Sequence, residues 1–267
     1  MKLGGLHIYP IKSCRGLALT TANVKRRGLE HDRRWMIVDA HGRFITQRSH
    51  SILAQLNVLP DARGLTLEFG GLKLRVNIPT QNRLDVSVWS STVNALVADD
   101  KANGALSEWL GQAVRLVYMD AAATRPTNPE WAQGYETSFA DGYPVLVTNT
   151  ASLAAINEHI QQAGHQPIGM ARFRPNVVIE TDVAWAEDSW TRLQIGEVML
   201  ELVKPCTRCV VTTRDPQTGE PRPEPVMNAL RALRMSTDPR NKGVLFGVNA
   251  VVQQGGKVAK GAAVSVL

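Results

Sequence analysis

The chain has 267 residues, of which 44% are hydrophobic and 20% are charged, enough to build one large domain or two that share a core without disulfides. No apolar run reaches the roughly 18 residues of a membrane-spanning helix, and the amino terminus lacks the features of a secretory signal, so we expect a cytoplasmic protein that does not enter a membrane. The net charge of +6 comes from scattered cations, which favours a solvated surface over a nucleic-acid-binding one.

The first half of the chain is predicted to be β-rich. Segments 3–9, 17–24, 35–38, 65–69, 72–78 and 84–88 are alternating or β-branched apolar runs, a pattern typical of short strands. Gly70-Gly71 lies between two of them where a hairpin turn is expected, because glycine reaches the positive φ of such turns. These antiparallel strands predict a barrel or a sandwich, and no glycine-rich loop indicates nicotinamide binding.

A predicted helix at 101–110 and a strand at 114–119 end the first half. The polar stretch 120–138, with Pro126 and Pro129, then marks a connection, which places the boundary between two predicted domains, 1–119 and 120–267. A helix is expected at 150–162, with Asn149 or Thr150 as its N-cap. The remaining predicted elements are strands at 176–180, 198–203, 210–213, 248–252 and 264–266, a helix at 226–233 and a hairpin bracketed by Gly255-Gly256 and Gly261. The expected fold is mainly β (α+β), with a few helices.

Cysteine is sparse, and the three residues Cys14, Cys206 and Cys209 do not form the even set of a disulfide framework. Cys206 and Cys209 are the first and last residues of a Cys-Thr-Arg-Cys motif that lies between two predicted strands. A zinc site would need a second ligand pair, and a thioredoxin-like dithiol normally opens a helix. Thiolate ligation of a soft metal remains, favoured by the neighbouring Arg208, and burial of both thiols as small apolar groups is an equal alternative.

Three basic segments are further candidates for binding an anion. In 170–179, an extended backbone would place Arg172, Arg174 and Asn176 on one face. Segment 9–16 ends the first strand with a cation and a hydroxyl beside a glycine, and its Cys14 is expected to pack. Segment 30–38 offers Arg33 or Arg34, unless His31 and Asp32 simply hydrogen-bond each other on a surface turn. Each segment could also be an ordinary surface.

Eight segments along the chain form an ordered set: Ile8-Tyr-Pro-Ile-Lys-Ser-Cys-Arg-Gly16, His31-Asp-Arg-Arg-Trp35, Gly42-Arg-Phe-Ile-Thr-Gln-Arg48, Asp141-Gly-Tyr-Pro-Val-Leu146, Arg172-Phe-Arg-Pro-Asn176, Cys206-Thr-Arg-Cys209, Thr212-Thr-Arg-Asp-Pro216 and Leu245-Phe-Gly247. Taken together, these segments resemble the MOSC superfamily, and in particular YcbX-type proteins and the mitochondrial amidoxime-reducing component. The resemblance covers nearly the whole chain, in matching order. It implies an N-terminal β-barrel domain packed on a catalytic MOSC domain.

The resemblance also implies a cofactor and a reaction. Cys209 matches the molybdenum ligand. Asp141 is a candidate catalytic group that could relay protons, with Asn249 or a water as alternatives. The implied contacts to a molybdopterin cofactor are Lys12, Ser13, Arg33, Arg174, Asn176, Thr207, Arg208 and Cys209. The implied activity is reduction of N-hydroxylated compounds by oxygen-atom transfer to Mo(IV). The alternative is a carrier that binds the cofactor or sulfur without turnover. Because no cysteines remain for an iron-sulfur cluster in this chain, we expect a separate iron-sulfur protein or flavoprotein to supply electrons.

Overall fold

The computed structural model describes residues 1–267, and strands make up most of its regular structure, as predicted. The strands of the first half are β1 Lys2–Ile8, β2 Leu17–Leu19, β3 Thr21–Lys25, β4 Gly28–Leu29, β5 Trp35–Asp39, β6 Asn57–Asp61, β7 Gly64–Phe69, β8 Leu72–Asn77, β9 Arg83–Val88, β10 Ser91–Val97 and β11 Val114–Tyr118. Those of the second half are β12 Val145–Asn149, β13 Val177–Glu180, β14 Arg192–Ile195, β15 Val198–Thr207, β16 Leu245–Gln254, β17 Gly256–Ala259 and β18 Val264–Val266. The helices are α1 Asp100–Leu110, α2 Thr150–Gln162 and α3 Val226–Leu233.

Four sheets organise these strands. The largest has the order β18-β14-β15-β16-β12-β13-β1-β2, and the others are β5-β11-β10-β9, β17-β3-β4 and β6-β7-β8. The first strands of the chain therefore complete a sheet that the second half builds. The domain boundary at residues 119 and 120 stays a prediction. No helix in the chain has the length and apolar character to cross a bilayer.

One row of paired residues crosses the large sheet. His7 of β1 donates its backbone N–H to the carbonyl of Asn176, and Asn176 donates to that of Leu146 in β12, both over 2.9 Å. Leu146 in turn pairs with Asn249 of β16, and Asn249 with Lys204 of β15. Five neighbouring segments of the chain thus place one residue each in a single row across the sheet. The pairing of β15 with β16 is irregular between Leu202 and Thr207, and such irregularities bend a strand locally.

Two large clusters of buried hydrophobic side chains form most of the core. The first contains 19 buried residues, mostly from the eight-stranded sheet and including Leu3, Val147 and Ile179. The second contains 18 buried residues from the first half, among them Leu65 and Leu106 of α1. Burial of this extent accounts for a stable fold without disulfides, since each buried aliphatic side chain contributes about 1.5–3 kcal/mol.

The three predicted helices are confirmed, and the bounds of α2 and α3 match the prediction. Asn149 caps α2 by accepting the N–H of Ala151 over 2.8 Å. Gly70 and Gly71, both with positive φ, connect the hairpin strands β7 and β8. The predicted strand at 17–24 is instead two strands in different sheets, and no final hairpin forms, because β17 pairs with β3 while β18 pairs with β14. Strands β4, β6, β10, β12, β14 and β17 were not predicted.

The strand predicted at 210–213 is wrong. Val210–Thr213 is a single 3-10 turn whose N-cap is Cys209. Thr212 and Thr213 donate their hydroxyls to the carbonyls of Cys209 and Val210, over 3.0 and 2.8 Å. These local bonds compete with a sheet ladder and outweigh the strand preference of β-branched residues.

The extended conformation predicted for segment 170–179 is also wrong at its start. Met170–Phe173 forms a 3-10 turn, and Arg174 has a φ of 53°. Arg172 and Arg174 therefore do not share a face. Arg172 pairs with Glu224 over 2.7 Å, whereas Arg174 donates to the carbonyl of Cys14 over 2.8 Å.

Candidate functional site

A single cleft gathers residues from both halves of the chain. We call it the central cleft, and it encloses about 850 Å³ of space, part of it open to solvent. The sequence-predicted residues that line it are Lys12, Ser13, Arg33, Asp141, Arg174, Asn176, Arg208 and Cys209. Lys12 and Cys209, which are 197 positions apart in the sequence, thus line the same cleft.

Thr207 is the exception among the predicted residues. It is exposed and does not line the central cleft. It pairs with Leu245 at the end of β15, and its methyl group lies toward Gly243. The alternation of a strand explains the difference, because Cys206 points into the cleft and its neighbour then points away. The side chain of Thr207 therefore lies away from any group bound in the cleft.

The backbone of the cleft is held in a costly conformation. Seven non-glycine residues have positive φ, and four of them line the cleft: Ser13 at 64°, Arg33 at 46°, Trp89 at 54° and Arg174 at 53°. Each such residue costs about 1–3 kcal/mol, and this kind of strain is concentrated at functional sites. The concentration of strain marks the cleft independently of its charge.

The ring of Tyr9 lies between two guanidinium groups. Arg33 is 4.2 Å and Arg174 is 4.1 Å from the ring centroid. Gly16 packs against this ring so closely that a Cβ would lie 2.5 Å from a ring carbon. Stacking orients both planar cations while leaving edge donors for an anion.

Arg33 is fixed further by polar contacts. It donates to Asp32 over 2.7 Å and to the side chain of Asn176 over 3.1 Å. Asp32 is buried and also accepts the backbone N–H of Tyr9 over 2.8 Å. The surface-turn alternative, in which Asp32 bonds to His31, is therefore wrong. Arg34 points elsewhere and donates to the carbonyl of Met119.

Lys12 and Asp141 form an ion pair that lines the cleft. Lys12 Nζ donates to Asp141 Oδ1 over 2.6 Å, and Trp89 Nε1 donates to the same oxygen over 3.2 Å. Lys12 is 5% exposed, while the side chain of Asp141 is 79% exposed. Desolvation by crowding opposes ionisation of Asp141, but the charge and hydrogen bond of Lys12 outweigh it and hold the pKa of this carboxyl well below its usual range. Asp141 is thus an anion near neutral pH.

The cysteine segment brings two thiols to the cleft. Cys206 and Cys209 both line it and are partly buried. Arg208 Nη1 lies 2.9 Å from the sulfur of Cys206, and Arg208 Nη2 donates to the carbonyl of Phe173 over 2.6 Å. Cys14 is different, because it is fully buried and burial raises the pKa of its thiol to about 12. Its predicted packing role is confirmed.

Unpaired donors indicate that the cleft fits an anionic ligand. Arg174 Nη2 and Arg208 Nε are buried nitrogen atoms without a hydrogen-bond partner. The cations lining the cleft are Lys12, Arg33, Arg48, Arg174 and Arg208, against the single carboxylate of Asp141. Buried donors are normally satisfied, so guanidinium atoms left free suit a phosphate-bearing group. No cluster of three or more His, Cys, Asp or Glu residues exists that could hold a metal with protein ligands alone. A metal at Cys209 would need other ligands from its cofactor.

Several residues that line the central cleft were not predicted from the sequence to be functional. Arg48 stacks 5.0 Å from the centroid of Trp89, and Gln47 is buried beside it. Segment 42–48 carried part of the family resemblance, which was the available signal for Gln47 and Arg48. Trp89 lies in the turn between β9 and β10, and nothing local distinguishes it from an ordinary turn residue.

Known protein families resemble this chain over most of its length. Residues 1–113 match the family model "MOSC N-terminal beta barrel domain", and residues 134–265 match the model "MOSC domain". The mitochondrial amidoxime-reducing component 1 of Homo sapiens is 30% identical over 96% of this chain and 80% of that protein. The mitochondrial amidoxime reducing component 2 of Rattus norvegicus is 32% identical over 95% of this chain and 80% of that protein. The crystal structure of YiiM from Geobacillus stearothermophilus superposes over 47% of this chain and 54% of that chain, at 13% identity and a TM-score of 0.32, too low a likeness to support an argument.

Proposed function

Since this chain belongs to the MOSC family and carries both the N-terminal beta barrel domain and the MOSC domain, we propose that it is a molybdenum-cofactor-dependent oxidoreductase of N-hydroxylated compounds. Amidoximes, hydroxylamines and N-hydroxylated bases are the proposed substrates. The observation that carries the proposal is the meeting of Cys209, five cations and one ionised carboxylate in the central cleft. The names of the relatives, which describe amidoxime reduction, support it.

The residues of the cleft divide into distinct roles. Cys209 would hold the metal through its thiolate, a soft ligand suited to molybdenum. Arg174 and Arg208, with their unpaired nitrogen atoms, would bind the phosphate of the pterin. Lys12, Ser13, Arg33 and Asn176 complete the lining around it. When bound, the molybdenum cofactor supplies the oxygen-accepting, two-electron chemistry.

Asp141 has a narrower role than a general proton relay. Its ionised carboxylate is tied through Oδ1 to Lys12 and Trp89. It can therefore accept hydrogen bonds from the N–H groups of an amidoxime or of the amidine product. Because its pKa is low, it holds no proton to donate near neutral pH. We propose that Asp141 orients the substrate and stabilises the cationic product.

Electrons would come from a separate protein. A [2Fe-2S] cluster takes four ligands that are usually cysteines, and this sequence has three cysteines, of which Cys14 is fully buried. An iron-sulfur protein or a flavoprotein is the proposed donor. Binding of nucleic acid is not proposed, because the cations described above face a cleft. Location in the cytoplasm stays a prediction.

The proposal is tested by metal analysis and turnover. Protein made in cells that synthesise the cofactor is expected to contain molybdenum and to reduce benzamidoxime with a working electron donor. Cys209→Ser should lose both, whereas Thr207→Val, in the same segment but outside the cleft, should keep both. Wild-type protein without molybdenum, or Cys209→Ser with full activity, would refute the proposal. Bound molybdenum without turnover of any N-hydroxylated compound would instead favour the carrier.

A further inference from the structure

A buried neutral amide in the central cleft has a nitrogen without a hydrogen-bond partner. Gln47 lines the cleft and is 3% exposed, and its Nε2 forms no hydrogen bond with the chain. An amide nitrogen carries two N–H donors, and leaving them unsatisfied in a buried position weakens the folded state. A glutamine in this position is therefore a cost to stability unless a ligand completes it.

Local hydrogen bonds hold the backbone on both sides of Gln47. The carbonyl of Thr46 accepts the backbone N–H groups of Ser49 and His50, over 3.1 and 2.8 Å. The hydroxyl of Thr46 accepts the N–H of Arg48 over 3.2 Å. Both neighbours of Gln47 in sequence are thus tied down, and the amide is held beside the cleft before a ligand binds.

Gln47 differs in chemistry and in position from the other unpaired donors of the cleft. Arg174 and Arg208 are charged and are anchored to the carbonyls of Cys14 and Phe173. The loop of Gln47 belongs instead to the side of Trp89, whose ring contacts Phe44 at 5.0 Å and the guanidinium of Arg48 at 5.0 Å. A phosphate would be drawn to the guanidinium groups, which leaves the amide for an uncharged acceptor.

We propose that Gln47 is a ligand-binding residue whose Nε2 donates to a ring nitrogen or a carbonyl oxygen of a heterocycle held in the central cleft. The inference rests on the proposed function, because that function supplies two such heterocycles. One is the pterin of the cofactor, and the other is the ring of an N-hydroxylated base bound as substrate. Both offer the same uncharged acceptor atoms, and experiment distinguishes them.

The first measurement is the thermal stability of cofactor-free protein. Gln47→Leu keeps the size of the side chain and removes the unsatisfied amide, so its Tm should equal that of the wild type or exceed it by about 2–4 °C. Asn157→Leu is the matched control, because Asn157 exchanges hydrogen bonds of 3.0 and 2.7 Å with the backbone of Ile168. The control should have a lower Tm. A comparable loss of Tm in Gln47→Leu would overturn the proposal, since the amide would then be structural.

The second measurement identifies the ligand in protein from cofactor-producing cells. If Gln47 binds the pterin, Gln47→Leu should retain about tenfold less molybdenum and pterin than the wild type. If it binds the substrate ring, metal content is unchanged and KM for an N-hydroxylated cytosine rises about tenfold, while KM for benzamidoxime, which has no heterocycle, is unchanged. Unchanged metal content and unchanged KM values would overturn this inference alone. Wild-type protein without molybdenum would overturn the proposed function, and both ligand sources with it.

Discussion

Lys12 and Asp141, 129 positions apart in the sequence, form an ion pair with 2.6 Å between Nζ and Oδ1. The ammonium is almost completely buried and the carboxylate faces the cleft. Lys12 also donates to the carbonyl of Phe139 over 2.9 Å. The pair joins the two halves of the chain and sets the charge state of the carboxylate.

Lys12→Met should move the acid limb of the pH–activity profile to higher pH. The pKa of Asp141 is lowered in the wild type, so its carboxylate stays ionised well below pH 4. Without the ammonium, the pKa should rise toward its ordinary value near 3.8. The profile of kcat/KM against pH measures the shift, with circular dichroism to confirm folding at each pH. An acid limb that coincides with that of the wild type would contradict the assignment.

Glu224→Gln should destabilise the protein by about 3–5 kcal/mol, because it leaves the buried guanidinium of Arg172 without its counter-charge. The double variant Arg172→Met with Glu224→Leu should recover much of this loss, since no charge then remains buried. Urea unfolding gives the free energies. Glu68→Gln, which breaks an exposed pair with Lys73, is the control and should change little. Equal effects of Glu224→Gln and Glu68→Gln would argue against burial as the cause.

Glu187→Gln should stabilise the protein at neutral pH but not near pH 4. Burial raises the pKa of Glu187 above its ordinary value near 4.5. Because the pKa is higher in the folded state than in the unfolded state, the protonated carboxyl contributes its full stability below the pKa of the unfolded state. This contribution is lost as pH rises through the pKa of the folded state. Glutamine stays neutral and can still accept from Asn149 and Ser152. The Tm difference between variant and wild type should therefore grow from pH 4.5 upward and then level off. A difference that is constant with pH would rule out this titration.

Two glycine substitutions should change the free energy of unfolding in opposite directions. In Gly28→Ala, the new Cβ would lie 2.3 Å from the carbonyl oxygen of Pro144, at a φ of 94°, so a loss of more than about 1 kcal/mol is expected. Gly104 lies inside α1 with open space around it, and Gly104→Ala should stabilise the helix by about 1 kcal/mol. Thermal unfolding of both variants checks the signs. A stabilised Gly28→Ala would show that the contact with Pro144 can relax.

The sequence by itself determined the elements whose signals are local. Helix α2 was predicted to the residue because an apolar stripe and an N-cap at Asn149 act within a few positions. The turn at Gly70 and Gly71 followed from glycine's access to positive φ. The ordered family segments also identified eight residues that meet in the central cleft.

Only the tertiary structure decided the contacts made between distant segments. Glu224, 52 positions away along the chain, pairs with Arg172 and holds it apart from Arg174. The strand register placed Thr207 outside the cleft, while the loop at Thr46 buried Gln47 inside it. Periodicity and capping report forces within a few residues, whereas burial, pairing of charges and the unpaired state of a donor depend on what the rest of the chain brings beside them.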